Sequence, residues 1–266
     1  MNTELEVKIE NIRTHFRRLQ KVLVAFSGGK DSFFLLKIAL ETLGKENVLA
    51  CNVRTGFSTV NDRKRVDYFI SKSDFKLEIM FVNVYEDEIV MLNPKDRCYF
   101  CKKKIFTALK EKAAALQLNA VVDGSTASDL NQYRPGLKAL HELQIISPLL
   151  DAGITSGEII SYLKETLNIE PYYLTSSACL ATRFPYDFQL DDKTLRIFDE
   201  IEATLVAEGI YPVKVRFIPE GIRIETPESN FAALMTNRER TIRFCQERGL
   251  KFVTLDLEGL KTGVWD

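Results

Sequence analysis

Residues 22–32 read Val-Leu-Val-Ala-Phe-Ser-Gly-Gly-Lys-Asp-Ser and run straight into Phe-Phe-Leu-Leu-Lys-Ile-Ala-Leu-Glu-Thr-Leu. No other stretch constrains the fold as strongly. The first five residues are an apolar run of strand type, and the pattern after Asp31 is helical. Between them Gly28 and Gly29 let backbone N–H groups approach an anion without side chains in the way. The helix start near Asp31 adds its positive end, so the turn is a way of building a phosphate site. It is not a Walker loop, because the string GxxxxGK[ST] is absent.

The rest of the first two thirds alternates strands and helices. Strands are predicted at 22–26, 48–53, 77–83 and 119–123, with a shorter one at 145–148. Helices are predicted at 31–43, 61–72, 101–117, 136–143 and 155–167. Such alternation argues for a parallel sheet covered on both faces, with ligands at the carboxyl ends of its strands. The SGGKDS string lies at one such end, and Asp123-Gly124-Ser125 lies at another, directly after Ala120-Val121-Val122. From about residue 190 the order becomes helix (193–208), strands (213–218, 221–225), helix (227–248) and strand (251–257), which describes a small α+β domain with an antiparallel pair. The expected fold is therefore α/β, with a nucleotide-type domain over 1–185 and a smaller α+β domain over 186–266. The linker 171–190 contains Pro171 and Pro185, which exclude a continuous helix.

Composition narrows the function classes. The chain has 266 residues, 45% of them hydrophobic, and a net charge of −1, so no basic field points to nucleic acid. No apolar run reaches the roughly 18–20 residues that span a bilayer. Leu5, Ile9, Ile12, Phe16 and Leu19 recur at helical spacing, which reads as an amphipathic helix and not a signal peptide. An odd cysteine count without a leader points to thiols in a reducing cytoplasm.

Cys98 and Cys101 form a Cys-Tyr-Phe-Cys pair within Asp-Arg-Cys-Tyr-Phe-Cys-Lys-Lys-Lys, and Cys179 stands apart in Ser-Ser-Ala-Cys-Leu-Ala-Thr-Arg-Phe-Pro-Tyr. A lone CxxC serves zinc, iron–sulfur clusters or dithiol chemistry. There is no second pair for a four-cysteine zinc site, and His15 and His141 are not at ligand spacing. Three thiolates can hold three irons of a [4Fe-4S] cluster and leave one open, while Lys102–Lys104 would lower thiol pKa values and offset charge. A zinc site completed by another ligand is the competing reading. Cys51, in an apolar strand run, and Cys245, in a helix pattern, read as buried core thiols.

SGGKDS in its strand–turn–helix setting resembles the PP-loop (SGGxDS) of the ATP pyrophosphatases, whose domain is of the adenine nucleotide alpha hydrolase-like type. The likeness extends to Arg-Cys-Tyr-Phe-Cys-Lys (97–102), Asp-Gly-Ser-Thr-Ala-Ser-Asp-Leu-Asn-Gln-Tyr-Arg-Pro-Gly-Leu (123–137), Cys-Leu-Ala-Thr-Arg-Phe-Pro-Tyr (179–186) and Leu-Asp-Leu-Glu-Gly-Leu-Lys-Thr-Gly (255–263). Together these resemble the LarE family of ATP-dependent sulfur transferases, which make the thiocarboxylates of the nickel-pincer nucleotide cofactor.

The resemblance implies ATP and Mg²⁺ as cofactors and a nucleotide-like carboxylate, the pyridinium dicarboxylate mononucleotide, as substrate. It implies that Ser27, Gly28, Gly29, Lys30 and Ser32 hold the polyphosphate, that Asp31 helps place Mg²⁺, and that Asp123 and Gly124 border the nucleotide. Arg134 and Arg183 would pair with phosphate or carboxylate groups, Arg183 orienting the acyl-adenylate beside the sulfur source. Arg216 and Arg223 alternate in predicted strands, which fits substrate contact and solvent exposure equally. The family holds two designs. In one, a single cysteine, here Cys179, gives up its own sulfur and becomes dehydroalanine. In the other, three cysteines hold a [4Fe-4S] cluster, and Cys98, Cys101 and Cys179 match that design. The sulfur donor stays unnamed, and relatives suggest a homo-oligomer. Thr182 stands where many relatives carry Ser, and the chain ends in a short Val-Trp-Asp.

Other readings compete. Thiolation of tRNA would call for further zinc-binding pairs and a basic face, and desulfidation of a nucleobase would not need an intact SGGKDS. An amide-forming ligase of the same superfamily would need an ammonia source. A non-catalytic nucleotide-binding module would bind ATP without releasing pyrophosphate.

Overall fold

The structure is a computed structural model that describes residues 3–175 and 178–261. Ser176 and Ser177 of the linker, Thr262 and Gly263 of the 255–263 motif, and the terminal Val264-Trp265-Asp266 lie outside the described residues.

In chain order the described residues begin with α1 (Thr3–Leu19), β1 (Val22–Ala25), α2 (Lys30–Leu43), β2 (Val48–Arg54), α3 (Val60–Ser71) and β3 (Leu77–Phe81). A short α4 (Glu88–Met91) precedes α5 (Arg97–Ala115), β4 (Ala120–Val122), α6 (Pro135–Glu142), α7 (Pro148–Asp151), α8 (Ser156–Leu167) and α9 (Pro171–Leu174). Then come α10 (Asp192–Ala207), β5 (Lys214–Ile218), β6 (Gly221–Glu225), α11 (Phe231–Thr236), α12 (Arg238–Gln246) and β7 (Phe252–Leu255). The chain divides into two compact units. The first draws on 1–55, 62–84 and 96–177, and the second on 56–61, 85–95 and 178–266.

The first unit is the expected parallel α/β sheet, in the order β3-β2-β1-β4. Alternation along the strands feeds two cores, because successive side chains point to opposite faces. Val22, Val24, Val48, Ala50 and Val122 face the core that contains Phe16 of α1, Phe33–Leu36 of α2 and Leu163 of α8. Leu23, Leu49, Cys51 and Val121 face the one that contains Phe106 and Leu109 of α5 and Leu140 of α6. The α1 stripe Leu5, Ile9, Ile12 and Phe16 is buried as its spacing required. α2 is apolar nearly all round, with Phe33, Phe34, Leu35, Leu36, Ile38 and Ala39 buried, which fits a helix packed on several sides.

Two expected elements of this unit are corrected. The strand at 145–148 is a single bridge, Val122 to Ile146, because Pro148 opens α7 at once and cannot donate to a ladder. The helix expected from 101 begins at Arg97, which brings both members of the Cys98–Cys101 pair into its first turn.

In the second unit β5 and β6 are antiparallel and β6 and β7 parallel, in the order β5-β6-β7. Leu195, Phe198, Ile201 and Leu205 of α10 are buried, and Phe198 joins Phe184, Phe188 and Phe217 in an aromatic cluster with centroids 4.5–6.4 Å apart. The helix expected over 227–248 is instead a 3₁₀ turn (Glu228–Asn230) followed by α11 and α12, broken at Asn237. Among the described residues no helix is long and apolar enough to cross a membrane.

Candidate active site

The first unit gathers a phosphate-type site at the carboxyl ends of β1 and β4. Gly28 has φ of +80°, a conformation that favours glycine, and a Cβ there would lie 2.5 Å from Val66 Cγ2. Gly29 caps α2, its N–H donating to Ser27 Oγ at 3.2 Å. Ser32 Oγ donates to Gly29 O at 3.0 Å and lies 3.1 Å from Ser27 Oγ, so the two serines close the loop. Lys30 is almost fully buried, and its Nζ donates to Asp31 Oδ2 at 2.9 Å.

The second strand end packs on this loop without intervening side chains. A Cβ on Gly124 would lie 2.8 Å from Ser32 N and 2.9 Å from Ser32 Cα. Asp123 is buried and accepts from Ser125 Oγ (2.6 Å) and Ser147 Oγ (2.5 Å), which ties the end of β4 to the start of α7. Asp129 closes a capping box with Thr126 and lies 3.3 Å from Arg134 Nε. Ser27–Ser32, Asp123, Gly124 and Arg134 are thus brought together within one unit. Asp129 is an addition that sequence reading missed, signalled only by its place three residues after Thr126.

Asp31 has the most unusual environment in this group. Oδ1 is buried and has no hydrogen-bond partner among the described residues. Burial pushes its carboxyl above the usual carboxylate range, Lys30 pulls it down, Asp129 pushes it up again and Arg134 opposes that. An unpartnered anionic oxygen at a helix N-terminus, beside a glycine cradle, suits a hard divalent cation riding on a polyphosphate. The donor set fits Mg²⁺.

Cys98 and Cys101 are half-buried and three residues apart in the first turn of α5, hence on one face. Such a pair of soft donors fits iron or zinc. The lysines expected to serve them are largely engaged elsewhere. Lys102 Nζ lies over the Phe106 ring at 5.9 Å, and its stem fills the space a Gly136 Cβ would take. Lys103 Nζ donates to Tyr99 Oη (2.9 Å) and Glu142 Oε2 (3.1 Å). Arg97, buried, donates from Nη2 to Cys98 Sγ at 3.7 Å. Cys51 and Cys245 are buried core residues, and burial pushes their thiols up to about 11.

Cys179 belongs to the second unit, at the N-cap of a 3₁₀ turn (Leu180–Arg183). Upstream, the segment 172–175 is held within the first unit by buried Arg65, which donates to the carbonyls of Tyr172 (3.2 Å), Tyr173 (2.9 Å) and Thr175 (2.5 Å). Within either unit, no three His, Cys, Asp or Glu side chains of the described residues lie together as a metal site.

Of the arginines considered for substrate contact in the second unit, Arg183 and Arg216 are buried and each is paired with a carboxylate. Arg183 is 4% exposed, and its Nε and Nη2 donate to Glu202 Oε1 (2.6 Å) and Oε2 (2.9 Å) in a two-pronged pair. Arg216 is fully buried, donating from Nε to Glu225 Oε2 at 3.1 Å and from Nη1 to Thr182 O at 2.5 Å. Arg216 and Arg223 are register partners across β5 and β6, and Glu225 accepts from both, which offsets their repulsion. Glu202 and Glu225 escaped sequence reading. Glu202 had a signal, since Leu195, Phe198, Glu202 and Leu205 repeat at helical spacing and place a carboxylate on the apolar stripe of α10.

No family model matches the chain. Over 259 residues, 97% of the chain and 94% of the relative, it is 31% identical to the pyridinium-3,5-bisthiocarboxylic acid mononucleotide synthase of Lactiplantibacillus plantarum. It is equally similar, 31% over 263 residues and 97% of each chain, to an uncharacterized protein of Synechocystis sp.. A third relative, a component of the glutamine-hydrolyzing GMP synthase of Thermoplasma volcanium, is 27% identical over 160 residues, covering 53% of this chain and 50% of its own.

Proposed function

The chain belongs to the family of the pyridinium-3,5-bisthiocarboxylic acid mononucleotide synthase, LarE-like enzymes of the PP-loop ATP pyrophosphatase superfamily, and from that premise we propose that it activates a carboxylate with ATP and replaces its oxygen with sulfur. The substrate of this reading is the pyridinium-3,5-dicarboxylic acid mononucleotide. The observation that carries it is the PP-loop itself, where a glycine cradle and the unpartnered Asp31 Oδ1 suit magnesium-bound triphosphate.

A carboxylate is a poor electrophile because its leaving group would be oxide. Attack of a carboxylate oxygen on the α-phosphorus expels pyrophosphate and leaves an acyl-adenylate. Sulfur then adds at the acyl carbon, and AMP departs carrying the original oxygen. Backbone N–H groups around Gly28 and Gly29, together with Ser27 and Ser32, orient the leaving pyrophosphate, and Asp31 would hold Mg²⁺, which when bound would supply positive charge against that developing on the leaving group. Arg134, exposed at the same site, offers a forked cation to the mononucleotide.

For the sulfur source, Cys98, Cys101 and Cys179 would hold a [4Fe-4S] cluster, which when bound supplies transferable sulfur without consuming a cysteine. Arg97 would offset the charge of the Cys98 thiolate. A second reading is sacrificial donation from Cys179, a partly exposed thiol at the N-cap of the 3₁₀ turn Leu180–Arg183. There Cys179 Sγ displaces AMP to form a thioester, and loss of its Cα proton breaks Cβ–Sγ, releasing the thiocarboxylate and leaving dehydroalanine.

Anaerobically purified protein, given ATP, Mg²⁺ and the mononucleotide, is expected to release pyrophosphate and, with sulfide, to form thiocarboxylate over many turnovers. Iron and sulfide analysis with a visible spectrum is expected to show a chromophore that Cys98→Ala, Cys101→Ala and Cys179→Ala each lose while still releasing pyrophosphate. A colourless wild type in which Cys179 loses the mass of one H₂S per turnover replaces the first reading by the second. Absence of pyrophosphate release overturns both.

A further inference from the structure

We propose that Glu202, acting through Arg183, is a positioning device that fixes the orientation of Cys179 for sulfur transfer; the proposal rests on the reading that Cys179 supplies the sulfur or holds its carrier. Backbone groups on both sides of the thiol are tied down within the second unit. The Cys179 carbonyl accepts from Thr182 N at 3.0 Å, Thr182 Oγ1 at 2.8 Å and Arg183 Nη1 at 3.5 Å. Arg183 Nη1 also donates to Ala178 O at 3.2 Å and to Thr182 Oγ1 at 2.9 Å. The Leu180 N–H donates to Phe57 O at 3.0 Å, and Arg216 Nη1 grips Thr182 O. With the backbone so held, the Cys179 side chain has only its staggered rotamers left.

Glu202 joins this arrangement to the sheet. While both its oxygens receive Arg183, Oε1 also accepts the backbone N–H of Val215 in β5 at 2.8 Å. A rigid path therefore runs from β5 through the carboxylate and the planar guanidinium to the carbonyls of residues 178 and 179. Arg183 is not free to grip substrate, since an incoming phosphate would have to displace a buried carboxylate held by three donors.

Stability alone is a weak reason for such a pair. Burying a carboxylate and a guanidinium together gains little over apolar packing of the same volume. What the pair adds is direction, because the guanidinium fork fixes angles as well as distances. Thr182 fits the same account, since the group in use is its hydroxyl, which a serine also carries. Misplacing a reacting atom by about 1 Å costs on the order of a hundredfold in rate, so a device of this kind acts on transfer and not on adenylation.

Full-length Glu202→Gln tests this, with pyrophosphate release and thiocarboxylate formation followed separately on ATP, Mg²⁺ and the pyridinium-3,5-dicarboxylic acid mononucleotide. The expected result is pyrophosphate release and KM for the mononucleotide within about twofold of wild type, with sulfur transfer down roughly 30–100-fold. Glu202→Asp, which keeps the charge on a shorter arm, shows the same split if the Gln variant fails to fold. A proportionate fall in both half-reactions, a rise in KM at unchanged transfer rate, or no change in either overturns the proposal. Cys179→Ser in otherwise wild-type protein abolishes transfer; if it does not, the underlying reading of Cys179 fails, whatever the Glu202 variants do.

Discussion

Asp31 shows at the level of one residue how a functional group is kept at some expense to the fold. Its carboxyl is raised mainly by burial, with Lys30 as the chief opposing influence. Because the folded, ligand-free chain holds this proton to higher pH than the unfolded chain does, its contribution to stability rises as pH falls through the folded value towards the ordinary one. Above that value the buried charge is a net burden. On the proposed reading Mg²⁺ would bind the carboxylate, so its binding would improve in the opposite direction. Asp31→Asn is therefore expected to leave the ligand-free melting temperature at neutral pH equal or higher and to flatten its dependence on pH. Pyrophosphate release should fall on the order of a hundredfold. Melts across pH, paired with a pyrophosphate assay, check both halves.

Among elements, the approach of the β4 end to the start of α2 is set by what Gly124 lacks. Its φ is not in the left-handed region, so the requirement is purely steric: a Cβ would press on backbone atoms of Ser32, which cannot swing aside. Gly153 offers the contrast, with φ of +66° and nothing within 4 Å of its missing Cβ. Gly124→Ala is expected to destabilise by about 1–3 kcal/mol through overpacking and to impair pyrophosphate release. Gly153→Ala should cost about 1 kcal/mol or somewhat more through backbone strain and leave activity unchanged. Urea midpoints and the same assay separate the two. The first turn of α5 makes a related point, since starting the helix at Arg97 puts two thiols on one face and a buried guanidinium beside the first.

At the scale of the whole molecule, the second unit carries a buried charge network beside its aromatic cluster. Glu225 is fully buried between Arg216 and Arg223, and Arg223 reaches towards Asp256 at 3.4 Å. Glu225→Ala leaves Arg216 buried without its carboxylate and is expected to cost about 3–5 kcal/mol. Hydrogen exchange should locate that loss in β5 and β6 and leave β1 and β2 protected. The strand–loop–helix over 22–43, the parallel sheet and the burial of Cys51 and Cys245 were legible in the chain, because apolar period and glycine placement act on neighbours a few residues apart. The partners of Arg183 and Arg216 were not: Glu202 lies nineteen residues from Arg183, and Glu225 nine from Arg216. Nor could periodicity show that 56–61 and 85–95 pack with the C-terminal unit. Local spacing decides which backbone forms. Whether an arginine faces water, substrate or a buried carboxylate depends on desolvation and on fork geometry, and both exist only once distant elements have packed.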